Sequence, residues 1–126
     1  MIKRVFITFV WCTIIIINLK CNSANETVLG LSKVQLDSAY NQFYELYDTN
    51  PAGANTSAYW LRTQSQKLNY QKGEANADAL ISYVFEQNGA YDSAIHYNLS
   101  ALKLRQQLND SEAIINTYLN LARNYL

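Results

Sequence analysis

The run Gly89-Ala90-Tyr91-Asp92-Ser93-Ala94-Ile95-His96-Tyr97-Asn98-Leu99-Ser100-Ala101-Leu102 constrains this chain more than any other part of it. A glycine turn leads into Tyr-x-x-Ala-Ile, and Ala-Leu follows six residues after the isoleucine. Apolar residues recurring at threes and fours mark one face of a helix. Small side chains at Ala94 and Ala101 narrow that face where a second helix must come to within about 8–10 Å.

The rest of the body has the same character. From Leu31 onward there is one proline, Pro51, and no alternating run long enough for a strand. Val34, Leu36, Tyr40, Phe43, Tyr44 and Tyr47 form a stripe that predicts a helix over about 33–48. Asn50-Pro51-Ala52-Gly53 is read as its end, because proline lacks a donor and glycine favours turns. Further helices are expected over about 56–68, 74–87 and 91–108, with Gly89 as the left-handed residue after a helix end. Asn109-Asp110-Ser111 supplies a capping cluster for a last helix that still runs at Leu126. The predicted fold class is therefore all-α, built from antiparallel helix hairpins.

A shift of 40 residues lays the chain on itself. Gln66, Leu68, Asn69 and Asn76 fall on Gln106, Leu108, Asn109 and Asn116, with Ile81 over Leu121 and Phe85 over Tyr125. Self-similarity at a fixed period is the mark of stacked repeats. Residues 75–108 resemble a tetratricopeptide repeat of the long-period kind found in kinesin light chains and in exported parts of bacterial sensor kinases. Ile81 and Ser82 stand at the large-small pair of its first helix, Phe85 at the aromatic one turn on, and Ala94 and Ala101 at the small positions of its second. Two positions depart from the pattern: Asp78 replaces a large residue and Asn98 an aromatic one.

The resemblance implies a solenoid scaffold, with 33–69 a degenerate first hairpin, 70–108 a repeat and 109–126 the first helix of an incomplete further one. Such solenoids close on a polar capping helix. None follows Leu126, so the chain is expected to be the front piece of a longer protein or a truncated fragment, with cover of the exposed face by another chain as the alternative. The family binds proteins or peptides in a concave groove lined by first helices. Carried over, those positions are Asn76, Ala79, Tyr83, Glu86 and Gln87, then Asn116, Leu119 and Arg123. Asn76 and Asn116 would begin a ladder of amides able to hold a peptide backbone. The basic clamp of chaperone-tail receptors is missing, since Ala79 and Tyr83 occupy its positions.

Residues 1–24 read as a signal peptide. Lys3 and Arg4 precede an apolar run from Val5 to Leu19. As a helix that run reaches roughly 22 Å, short of a ~30 Å hydrocarbon core. Cleavage after Ser23 or Ala24 would leave a polar tether over 25–32. An uncleaved anchor is the competing reading, and Cys21 raises lipidation, although Asn18 and Lys20 fit that signal poorly. Export to the periplasm or cell envelope follows, with a surface lipoprotein that helps capture glycans as the alternative function. Beyond residue 20 the chain holds seven basic and ten acidic side chains, a balance that disfavours nucleic acid as a partner. With Cys12 in the leader, neither an internal disulfide nor a thiolate metal site is expected.

No catalytic set is visible. His96 is the one histidine and is expected on a solvent face. Glu74 and Asp78 lie one helical turn apart and are read as solvated charge rather than a paired-acid site. The few glycines are isolated, so no phosphate loop is present. Neither an enzyme activity nor a cofactor is expected. Tyr40, Tyr44, Tyr47 and Tyr59 are read mostly as core residues with their phenol tips at its boundary, with an aromatic binding surface as the alternative for a minority of them.

Overall fold

Three turns of one kind set the spacing of the chain: Leu68-Asn69-Tyr70, Asn88-Gly89-Ala90 and Leu108-Asn109-Asp110. Their middle residues take φ of 50°, 72° and 54°. In each, the middle N–H donates to the carbonyl three residues back (Gln66, Glu86, Gln106) and the following N–H to the carbonyl five back (Ser65, Phe85, Arg105). This paired bonding closes the helix carbonyls that would otherwise lack donors, and glycine or asparagine at the left-handed position permits it. The turns recur every 20 residues, half the period visible in the sequence.

The computed structural model describes residues 33–126, which form one unit. The signal peptide and tether expected over 1–32 lie outside the described residues. Helix α1 covers 33–41, α2 Phe43–Thr49, α3 Pro51–Lys67, α4 Gln71–Gln87, α5 Tyr91–Gln107 and α6 Ser111–Tyr125, with no strand among the described residues. The chain is all-α, as expected. Side-chain pairs on α3 and α4 step away from their turn in opposite directions, Gln66 with Glu74 and then Arg62 with Asp78, so these helices are antiparallel. Ser82 and Asp78 of α4 meet Ala94 and Ser100 of α5 in the same way.

Several boundaries differ from expectation. The single helix over 33–48 is two, meeting at Gln42, although helical bonding continues through Gln42 N–H to Ser38 and Leu46 N–H to Gln42. Asn50-Pro51 does not only stop a helix; it starts α3, five residues before the expected Thr56. Proline at the first helical position loses no hydrogen bond and arrives with a helical φ. Asn50 Oδ1 accepts the Gly53 N–H at 3.0 Å and completes the cap. Helix α4 likewise begins at Gln71 rather than Glu74 and runs through Gly73. There a Cβ would lie 2.5 Å from both Ser65 Oγ and a Tyr70 ring carbon, so the glycine serves close approach.

The apolar core belongs to the first four helices. Phe43 of α2, Ala54, Ala58 and Leu61 of α3, and Leu80 and Ile81 of α4 are all buried in it. Ala94 and Ala101 of α5 are fully buried, and Ser82 Oγ donates to the Ala94 carbonyl at 2.9 Å across the α4–α5 crossing. The small residues therefore sit where helices pass closest. Asp78 overturns the expectation of a solvated charge: it is 0% exposed. Arg62 Nε donates to its Oδ1 at 2.6 Å and Ser100 Oγ to its Oδ2 at 2.5 Å, so one carboxylate ties α3, α4 and α5 together. Burial of the Arg62 guanidinium opposes its charge, but the bond to Asp78 and that carboxylate's field prevail, and its pKa rises.

Candidate ligand-binding cavity

Helix α4 turns Asn76, Ala79, Tyr83 and Glu86 to one side, at spacings of three, four and three. Helix α6 repeats the device with Ala113, Asn116, Asn120 and Arg123. Between them lies a cavity of about 450 Å³, walled elsewhere by Tyr40 and Tyr44 of the first two helices, Arg105 of α5 and Asp110 of the last turn. That volume lies within the range of about 300–1,000 Å³ typical of small-ligand sites. Its walls are mostly polar: amides, phenols and charges of both signs.

Two contacts fix the mouth. Arg123 Nε lies 2.9 Å from Glu86 Oε1, joining α6 to α4, and Arg123 Nη2 donates to Asn120 Oδ1 at 2.6 Å. The Arg123 side chain is 62% exposed, so the pair positions the helices more than it stabilises them. Tyr83 of α4 meets Tyr44 edge-on at 5.2 Å and Tyr47 at 5.3 Å, with Phe43 at 6.2 Å. Burial first, and neighbouring phenols second, push the Tyr44 and Tyr83 pKa values up. Both hydroxyls are protonated donors at neutral pH.

The most buried charge lining the cavity is Arg105. It is 6% exposed. Nη1 donates to Thr117 Oγ1 at 2.6 Å and to the Ala113 carbonyl at 3.3 Å, while Nε is buried with no acceptor. Among the described residues no carboxylate lies within 4.0 Å of it; Asp110 Oδ1 instead accepts the Ala113 N–H at 3.1 Å as the cap of α6. Burial lowers the Arg105 pKa, outweighing the attraction of Tyr40, Asp110 and Tyr44. Arg62, which has its carboxylate, shifts the other way.

No protein-family model, curated protein or solved structure matches this chain.

Of the eight groove residues expected from sequence, Asn76, Ala79, Tyr83, Glu86, Asn116 and Arg123 line the cavity. Gln87 and Leu119 do not. Gln87 is the exposed last residue of α4, and Leu119 is 62% exposed on α6, away from the lining. Sequence reading missed Tyr40, Tyr44, Asn120 and Arg105. Asn120 was findable, one turn beyond Asn116. Arg105 was too: Ala94, Asn98, Ala101 and Arg105 share one stripe, so two polar side chains stand on a face that must be buried. His96 is exposed on α5 and meets Tyr97 edge-on at 5.4 Å, outside the cavity. Among the described residues no group of three or more His, Cys, Asp or Glu could hold a metal.

Proposed function

We propose that this chain is a scaffold of the tetratricopeptide-repeat type that holds an extended segment of another protein in the α4–α6 cavity. The observation that carries the reading is the placement of Asn76 and Asn116. They lie 40 residues apart in sequence, at matching places on α4 and α6, and both line the cavity. An amide offers donors and an acceptor together, which suits the alternating N–H and C=O of a peptide backbone. The 20-residue turn spacing and the antiparallel hairpins support a solenoid of paired helices. Six of the eight expected groove positions coincide with the cavity wall. Export rests on the basic and apolar leader over 1–24, and sequencing the mature N-terminus after secretion tests it.

The test of binding is an array of short unstructured peptides probed with the wild-type chain and with the Asn76→Ala/Asn116→Ala variant. Helix content is followed by circular dichroism. Peptides captured by the wild type should bind the double variant at least tenfold more weakly with helicity unchanged. Equal capture by both proteins, or none by either, refutes the groove.

A further inference from the structure

Arg105 is a buried cation whose ordinary compensation is missing. A charge taken out of water is retained only if it is paired and its hydrogen-bonding groups are met. Arg62 meets that condition through Asp78 at 2.6 Å. Arg105 does not: its bonds go to a threonine hydroxyl and a backbone carbonyl, both neutral, and its Nε has no acceptor. The acids around the cavity are committed or remote. Glu86 pairs with Arg123, Asp110 caps α6, and Glu112 is exposed on the first turn of that helix. Arg105 forms part of the cavity wall, so what reaches it comes from the cavity.

We infer that Arg105 is the receiving group for a carboxylate carried by the bound segment, an acidic side chain or a chain terminus. The inference rests on the peptide-binding reading and adds to it a chemical preference. A guanidinium presents donors in a planar fork that fits the two oxygens of a carboxylate. Thr117 and the Ala113 carbonyl already fix one edge of the plane, so little orientational freedom is lost on binding. The amides of Asn76 and Asn116 are left for the backbone beside it. The family's basic clamp would act from the first helices, at Ala79 and Tyr83; Arg105 acts from the second helix of its hairpin and is a separate device.

The experiment uses the full chain and nitrogen-15 correlation spectra in which the Arg105 Nε–H is assigned. The probes are end-blocked Ala-Ala-Glu-Ala-Ala, its glutamine counterpart, an all-alanine pentapeptide with a free C-terminal carboxylate, and inorganic phosphate. The glutamate peptide should shift the Arg105 Nε–H signal and bind at least tenfold more tightly than the glutamine peptide. Arg105→Met should remove that preference, the glutamate and glutamine peptides then binding alike. Should the methionine variant unfold, the wild-type Nε–H signal decides alone: movement with a carboxylate probe supports the inference, and its absence overturns it. The free-terminus peptide moving the signal where the glutamate peptide does not assigns the carboxylate to a chain end. Phosphate moving the signal while neither carboxylate probe does so overturns the proposal. Equal affinity for the glutamate and glutamine peptides, with no movement of the signal by the free-terminus peptide, overturns it too, yet leaves the groove standing; no binding by any peptide removes both.

Discussion

Asp78 is the place to test how three helices are held in register behind the cavity. Its carboxylate is fully buried, accepting from Arg62 on one oxygen and Ser100 on the other. Removing one member of a buried pair costs about 3–5 kcal/mol when the survivor is trapped without water. The Arg62 side chain is 34% exposed and can rehydrate, so the full penalty does not apply. What remains is one charge-assisted hydrogen bond, about 1.5–3 kcal/mol, and the weakened bond from Ser100. Asp78→Asn should therefore cost about 2–3 kcal/mol in urea unfolding followed by circular dichroism. The double variant Arg62→Met/Asp78→Leu removes charge from both sides and fills the volume. It should lie within about 1 kcal/mol of the wild type, because a well-packed apolar pair replaces a buried ion pair at little cost. A double variant as unstable as the two single variants summed would refute the reasoning, since it would mean that the pair is uncoupled. So would an Asp78→Asn protein of wild-type stability.

Two further perturbations probe the turns and the tyrosines. At Gly89 no atom lies within 4 Å of an added Cβ and φ is 72°, so Gly89→Ala should lose about 1–2 kcal/mol for backbone reasons alone. Gly89→Asn, which installs the residue of the sister turns, should lose less; equal losses would show that left-handed geometry is not the cause. Burial first, then the neighbouring Tyr97 phenol for Tyr59 and the hydrogen bond to Asp37 for Tyr70, pushes the two hydroxyls each up to about 12. Unfolded tyrosine ionises near about 10. The folded state thus holds protons that the unfolded state releases, and stability complete below about pH 10 should fall between about 10 and 12. Thermal melts across pH 8–12 check this, and a melting temperature that rises above pH 10 would contradict it.

Helix existence was legible because each helix carries its own periodicity, and the turn at Gly89 was legible because glycine is the cheapest left-handed residue. Asn69 and Asn109 hold the same conformation, yet asparagine occurs throughout this sequence and signals little by itself. The start of α3 was misread because proline has opposite meanings inside a helix and at its first position. Only the Asn50 cap, a contact between residues three apart, separates the two. Asp78 was misread for a different reason. The sequence one turn away offers Glu74, which suggested a solvated acidic face, whereas its true partners, Arg62 and Ser100, lie 16 and 22 residues off. Gln87 and Leu119 were assigned to the groove by family position; small rotations of a helix decide such cases, and periodicity fixes a face only to within about one residue. Of the tyrosines expected in the core, Tyr44 and Tyr59 are half exposed. Tyr44 is instead spent on the cavity wall.

The α3–α4 and α5–α6 pairs differ most where they should be alike. Forty residues apart, Ala58 corresponds to Asn98, Ser65 to Arg105, Ala77 to Thr117 and Val84 to Asn124, all buried. The α3–α4 pair fills these places with small or apolar groups and shares the main core. The α5–α6 pair fills them with two amides, a guanidinium and a hydroxyl. The Arg105–Thr117 contact fixes the antiparallel register of that pair, and the same register sets Asn98 opposite Asn124, each with its side-chain nitrogen and oxygen unpartnered among the described residues. Polar groups at such positions weaken a helix pair relative to its apolar counterpart. Packing alone does not account for them. The α3–α4 pair holds the main core, while the α5–α6 pair places one of its four polar residues, Arg105, on the cavity wall.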